Sequence, residues 1–256
     1  MIDLVRAELF KARATRSVWG LAALAVAFCL LWAVLDVLVF MDLGDGVVTD
    51  RSIRDAYGMA QQGYLLVLIL GIVVTAGEYR HRTITWAFLA TPRRGRVITA
   101  KLAACGLLGL LIGVAAAVVT GAATAALLAA TGRPLLAPGV APVLAGSVLA
   151  TGLWGVLGAA LGVLVRNQVA ATVIAFVWFF YAEWLLVQLL PEVGRWVPTG
   201  AAKAIVGYSR EGLVDFSGQP VPGELLPVWA GAALLLGYAF AAAFAAHRVT
   251  VRRDVT

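Results

Sequence analysis

Residues Ala76–Lys101 read AGEYRHRTITWAFLATPRRGRVITAK and separate two long apolar runs. The stretch holds six of the chain's 20 Lys and Arg residues (Arg80, Arg82, Arg93, Arg94, Arg96 and Lys101) and one carboxylate, Glu78. Its middle, TITWAFLA over Thr83–Ala90, is long enough for two helical turns and carries Ile84, Trp86, Ala87, Phe88 and Leu89. A basic loop that only fixed orientation would have no use for Trp86, Phe88 and Leu89. The stretch therefore reads as a short helix at a membrane edge, with an apolar surface suited to a groove on a soluble partner. Thr91-Pro92 then reads as the N-cap and first position of the next helix.

Outward from this stretch the chain is greasy. Of 256 residues, 62% are hydrophobic and only 13% charged, with mean hydropathy +0.92. A soluble domain is roughly half apolar and about a quarter charged, and its core is limited by surface scaling. The excess here points to an all-α polytopic membrane protein. Crossing the hydrocarbon core takes about 20 residues at a rise of about 1.5 Å each. Six spans are expected, at 18–40, 57–77, 97–131, 140–165, 168–190 and 226–246. An amphipathic segment, 1–16, precedes them, and the loop of interest occupies 78–96. The first apolar run is too long for a signal h-region and is read as an anchor. One transmembrane domain, 1–256, accounts for the whole chain.

An even number of spans places both ends of the chain on one side. Fourteen of the Lys and Arg residues fall on that side: Arg6, Lys11, Arg13, Arg16, the six of the quoted stretch, Arg166, Arg248, Arg252 and Arg253. Only Arg51, Arg54, Arg133, Arg195, Lys203 and Arg210 fall on the other. The positive-inside rule then places both termini and the Glu78 loop in the cytoplasm; the high usage of Ala, Gly, Val and Arg suggests a bacterial genome, so a bacterial inner membrane is expected. The opposite face is acidic, with Asp42, Asp45, Asp50 and Asp55 in one loop and Glu192, Glu211, Asp215 and Glu224 in another. The formal charge of +6 sits at span ends and forms no separable basic face, so it does not speak for nucleic acid. The last outer loop, 191–223, is long and only partly polar. Two short re-entrant or interfacial helices are expected in it, with Pro198-Thr199-Gly200 marking the break.

Small residues recur on two spans: Gly106, Gly109 and Gly113 on the third, and Gly152, Gly155, Gly158 and Gly162 on the fourth. They are expected to let helices of one chain approach closely, ahead of a role between chains. Cys29 and Cys105 lie in apolar runs and are read as small packing residues. In MIDLVRAELFKARATR, Ile2, Val5, Leu9 and Ala12 share one helical stripe flanked by basic residues. This fits a helix lying flat on the cytoplasmic leaflet.

Chemistry is sparse. The histidines, His81 and His247, stand apart at span ends, and no HExxH, paired CxxC or GxSxG occurs. None of the lysines, Lys11, Lys101 and Lys203, follows a glycine, so the chain has no Walker A loop. No catalytic, metal or cofactor residue is assigned, and the chain is not expected to be an enzyme. Asp36 sits near a span end, where solvation is the simpler reading. Glu183, in FFYAEWLL, sits well inside the fifth span and could serve a substrate or pair with a neighbouring helix. With Phe180, Tyr181 and Trp184 it forms a candidate substrate path.

Glu-x-Arg-x-x-Thr, a short apolar helix, Thr-Pro-x-Arg and a lysine at the next span are Glu78, Arg80, Thr83, Thr91, Pro92, Arg94 and Lys101 here. This pattern resembles the permease subunit of ABC-2 type transporters, and the likeness covers nearly the whole chain. Where the family usually has glycine before the threonine, this chain has Arg82. The resemblance implies a half-transporter of the bacterial type V exporter fold. Two such permease protomers, identical or paralogous, would sit in the bilayer on two separately encoded P-loop ATPase subunits. Those subunits would hold the ATP and Mg. It implies that the helix after span two is a coupling helix, with Glu78, Arg80, Arg82, Thr83, Trp86, Phe88, Leu89 and Arg94 passing ATPase movement to the spans. It further implies a path between protomers lined by spans one, two and five, for an amphipathic, lipid-like, drug or peptide substrate. Two other readings compete: an ion-coupled secondary carrier using Glu183, and a non-transporting membrane anchor for an ATPase.

Overall fold

The computed structural model describes residues 1–41, 48–81, 83–91, 93–207 and 226–252, and the side chains of most of these. Arg82, Pro92, Asp42, Asp45, Arg210, Glu211, Asp215, Glu224, Arg253, the 208–223 part of the long loop and the side chain of Trp184 lie outside that set. Every described element is helical.

Helix α1 is Ile2–Ala14. Helix α2, Arg16–Leu35, continues through a π turn, Asp36–Phe40. Helix α3, Asp50–Gly58, opens on a capping box between Thr49 and Ser52. A 3₁₀ turn, Met59–Gln61, joins it to α4, Tyr64–Arg80. Helix α5 is the short Ile84–Ala90, and α6, Arg94–Ala130, is 37 residues long. Helix α7 is Val140–Val165. Helix α8, Gln168–Phe176, runs through a π turn, Val177–Ala182, into α9, Glu183–Leu189. The short α10, Pro191–Gly194, and α11, Pro198–Val206, follow, and α12 is Val228–Arg252.

Among the described residues, five segments are long and apolar enough to cross a membrane: Arg16–Phe40, Asp50–Arg80, Arg94–Ala130, Val140–Val165 and Val228–Arg248. The chain is thus an all-α, multi-pass membrane protein. The expected fifth span is also helical, but its apolar stretch, Gln168–Ala182, is shorter, and a π turn interrupts it before Glu183. At about 1.5 Å per residue, α6 is about 55 Å long, well beyond a hydrocarbon core of about 30 Å. It must therefore tilt or extend past the bilayer.

Two boundaries differ from the sequence reading. Thr91 ends α5 instead of starting α6; its backbone is extended (φ −134°, ψ 96°), and α6 begins at Arg94 with Arg93 as N-cap. A residue that precedes proline is pushed out of the helical region by the ring. In the outer loop, Pro198-Thr199-Gly200 does not mark the break: Pro198 is the first residue of α11, and the chain turns before it, at extended Val197.

Helix α7 is the hub, packed on α4 and α6 along its length and on α11 and α12 at its sides. The glycines make this possible within one chain. A Cβ on Gly109 of α6 would stand 2.7 Å from the Thr151 carbonyl oxygen of α7, and one on Gly71 of α4 would stand 2.6 Å from that of Gly155. Side chains there would force the backbones apart. The Thr75 hydroxyl exploits the closeness by donating to Ala159 O at 3.1 Å, across to α7. Wholly buried Trp154 fills the centre, its ring 4.8 Å from that of Tyr64 and 5.1 Å from that of Phe179. Cys29 does more than pack. Its thiol accepts from Gly63 N (3.1 Å) and donates to Ala60 O (3.2 Å), satisfying backbone groups that the 3₁₀ turn leaves open.

Candidate functional site

The quoted stretch lies at the end of the bundle that α1 also caps. Four charged side chains meet there from three helices. Lys101, in the second turn of α6, has a side chain wholly removed from solvent. Its Nζ lies 2.7 Å from Glu8 Oε2 of α1 and 2.6 Å from Glu78 Oε1 of α4. Lys11 closes the figure from outside, its Nζ 2.8 Å from Glu8 Oε1 and 3.3 Å from Glu78 Oε1. Two carboxylates and two ammonium groups make a neutral set, which is what allows such charges to be buried together. Burial pulls against the charged form of Lys11. The hydrogen bond and charge of Glu8 and the charge of Glu78 outweigh it, and the ammonium is held above its ordinary 10.5.

Among the described residues, Glu78 pairs with the two lysines. Arg80 stands exposed on the last turn of α4, Arg94 lies against the Phe88 ring at 5.8 Å, and Arg82 is outside the described residues. Glu8 and Lys11 were not singled out as site residues. Glu8 is only 6% exposed, on a helix where its charge suggested a wet face. One signal was available: Glu8 and Lys11 are an i, i+3 pair, and Glu8 and Ala12, one turn apart, are the two buried residues of α1.

Glu78 is also the root of the loop. Its backbone carbonyl accepts from Thr83 N at 3.0 Å and from Thr83 Oγ1 at 3.4 Å, turning the chain from α4 into α5. Helix α5 then divides its apolar residues between two faces. Ile84 is buried, and Phe88, one turn on, packs half-buried against the Ile98 and Leu102 region of α6. Trp86 and Leu89, at i, i+3 spacing, point outward with 74% and 69% of their surface exposed. The single apolar surface expected over Ile84–Leu89 is therefore two: a root in the bundle and an outward pair. Phe88 belongs to the root.

Beside this corner lies a groove of about 1250 Å³, bounded by α1, α2, α4, α5 and α8. Val18, Leu21, Ile69 and Val73 give it apolar walls, and Lys11, Glu78 and Arg80 stand along its charged part.

Among the described side chains of the expected substrate-path group, Glu183 is turned away from Phe180 and Tyr181. Glu183 is wholly buried, and its carboxylate accepts three hydrogen bonds: from Thr199 N (2.9 Å), from Thr199 Oγ1 (2.5 Å) and from Trp178 Nε1 (3.0 Å). It ties α9 to the first turn of α11. Phe180 and Tyr181 face outward instead, half-exposed, and Phe180 stacks on Phe176 at 5.0 Å. Glu183 is not among the residues that line the groove. Among the described residues there is no group of three or more His, Cys, Asp or Glu side chains that could hold a metal ion.

No protein-family model matches the chain, and no curated protein does.

Proposed function

We propose that the chain is the transmembrane subunit of an ATP-driven ABC exporter of the ABC-2 permease class, with α5 as its coupling helix. The observation that carries this reading is the build of the Glu78 corner. Through its side chain Glu78 grips α1 and α6, through its carbonyl it holds the start of α5, and α5 turns Trp86 and Leu89 out of the bundle. An apolar pair on a firmly rooted helix at the basic end suits a soluble partner that must push on the membrane domain. The absence of a Walker A loop assigns ATP and Mg to that partner, so this chain catalyses nothing itself.

In this reading two copies of a P-loop ATPase dock beneath two permease protomers in a bacterial inner membrane. The helical segment 168–189 serves as the fifth of six spans. The excess of Lys and Arg at the α1 and α5 end makes that end cytoplasmic, as with both termini. The groove, bounded by parts of spans one, two and five, is where an amphipathic substrate would enter between protomers. The ion-coupled alternative needs an open carboxylate at Glu183, and three donors already occupy it.

Co-purification tests the proposal. The tagged chain, expressed with its genomic neighbours and extracted gently, is expected to bring down a P-loop ATPase in equal number. A chain that purifies alone, stable and without an ATPase, would overturn it. Transport by the reconstituted complex then separates an exporter from a non-transporting anchor.

A further inference from the structure

We propose that Arg166 and His247 hold the phosphate of an anionic phospholipid at the basic end of the bundle. The proposal does not depend on the exporter reading. Arg166 follows the last residue of α7, with φ 58° and ψ 4°. Among the described residues it is the one residue other than glycine with a positive φ. Helices commonly end on glycine in this left-handed conformation, because a Cβ is disfavoured there. An arginine kept at such a place is kept for its side chain. The Arg166 guanidinium lies over the Tyr79 ring of α4, 5.5 Å from the ring centre, and the stacking fixes its plane. Its Nε and Nη2 are both enclosed, and neither has a hydrogen-bond partner. These two atoms form one edge of the guanidinium. It is the edge whose parallel N–H groups match two oxygens of a phosphate or carboxylate. No carboxylate of the described residues takes that edge.

A second unpaired nitrogen stands at the same rim. His247 Nδ1, on α12, is enclosed and without a partner, and its ring lies where Gly95 of α6 has no Cβ to strike it. Ile98, Val163 and Ala246 belong to one buried cluster that joins α6, α7 and α12. Gly95, Arg166 and His247 each lie within three residues of a member, so Arg166 and His247 both sit at the edge of that cluster. Arg94 and Arg248, next in sequence to Gly95 and His247, add positive charge. Basic pockets between spanning helices at this end suit lipid head groups. The surroundings favour a lipid over a soluble anion. Val169 of α8, three residues after Arg166, and Phe244 of α12, three before His247, are exposed and apolar. Acyl chains hanging from a phosphate at the rim would cover them, and a free phosphate would not. The site is separate from the groove, since neither Tyr79 nor Arg166 lines it.

Native mass spectrometry of the full chain in mild detergent tests this. The chain is titrated with phosphatidylglycerol and with phosphatidylcholine of the same acyl chains, whose phosphate is balanced by its own ammonium. The wild type is expected to retain phosphatidylglycerol in preference, and inorganic phosphate is expected not to displace it. Arg166→Asn suits the left-handed backbone and removes the charged edge. It is expected to weaken retention by about tenfold or more, because charge-assisted hydrogen bonds are lost. His247→Gln should weaken it less. Arg96→Gln, at an exposed arginine of the same end, is expected to leave retention unchanged. A wild type without the preference overturns the proposal, and that measurement needs no variant. Wild-type retention in Arg166→Asn, or an equal loss in Arg96→Gln, overturns the site. Should the asparagine variant fail to fold, Arg166→Lys keeps the charge and loses the paired edge, and wild-type retention there also overturns the site. Displacement by inorganic phosphate overturns the lipid in favour of a free anion.

Discussion

Two glutamate sites in this protein are taken out of water by opposite means. At the basic end, Glu8 and Glu78 meet full positive charges on Lys101 and Lys11. At the other, Glu183 accepts hydrogen bonds from neutral donors, a backbone N–H and hydroxyl from Thr199 and an indole N–H from Trp178, with the Lys203 charge acting on it as well. The first site joins three helices that are distant in sequence; the second pins a short outer helix to a neighbour 16 residues away. Charge pairing is strong but demands that every partner be present, because a single unpaired ion in a dry site is very costly. A carboxylate ringed by dipoles tolerates trimming better. The difference places the sensitive joint of the molecule at the Glu78 corner, and the Glu183 site has the build of a brace.

The sharpest way to break this comparison is Lys101→Met. It strands two carboxylates, and about 3–5 kcal/mol of stability should be lost. Thermal unfolding in detergent measures it. The triple variant Glu8→Gln, Lys101→Met, Glu78→Gln should recover much of that loss, because it removes the three enclosed charges and leaves only Lys11, whose side chain is 49% exposed. Equal losses in the single and the triple variant would show that charge balance is not what the site depends on.

Glu183→Leu is expected to be milder, at about 1–3 kcal/mol, since it leaves the Thr199 and Trp178 donors unpaired. Glu183→Gln, which keeps one acceptor oxygen, should cost less than the leucine. A glutamine variant that folds normally but abolishes transport would move Glu183 from brace to function.

The outward pair on α5 should behave differently from both. Trp86→Ala with Leu89→Ala removes exposed surface, so the unfolding free energy should stay within about 0.5 kcal/mol of wild type. Recovery of the ATPase in a pull-down should collapse. If the pair of substitutions leaves the complex intact, α5 is not the docking face. Glu78→Ala should instead retain the ATPase and uncouple hydrolysis from transport; transport at the wild-type level would refute that.

The smallest effect belongs to Lys11. Its side chain is 49% exposed, so solvent screens it, and Lys11→Met should cost less than about 1 kcal/mol. The folded ammonium is held above its ordinary 10.5, so its contribution is complete below that value. It disappears as the pH rises through the folded value. The stability difference between wild type and Lys11→Met should therefore be flat around neutrality and shrink only in strong alkali. A difference that changes near neutral pH would show that Lys11 is not the group concerned.

Much of the architecture was legible in the residues. The apolar runs and their lengths, the short helix between two of them, the glycines that let α6 and α7 touch and the two short helices after α9 all follow from local pattern. The helix boundaries around Pro92 and Pro198 were misplaced because proline both starts helices and bars the residue before it from helical backbone, and the pattern alone does not say which effect governs. The apolar residues of α5 were found but not sorted, since a seven-residue helix shows its two faces only once something packs on one of them.

From sequence alone came the class of the chain, the position of the short helix between two spans and the lack of a Walker A loop. These rest on composition, spacing and motif, which are properties of neighbours along the chain. Tertiary structure decided which charges meet. Glu78 lies among arginines in sequence yet pairs with Lys101 and Lys11, and Glu8, polar on a surface helix, is buried. An ion pair is chosen by distance and by the exclusion of water. Both are set by how α1, α4 and α6 pack, across separations of up to 93 residues that no local pattern encodes.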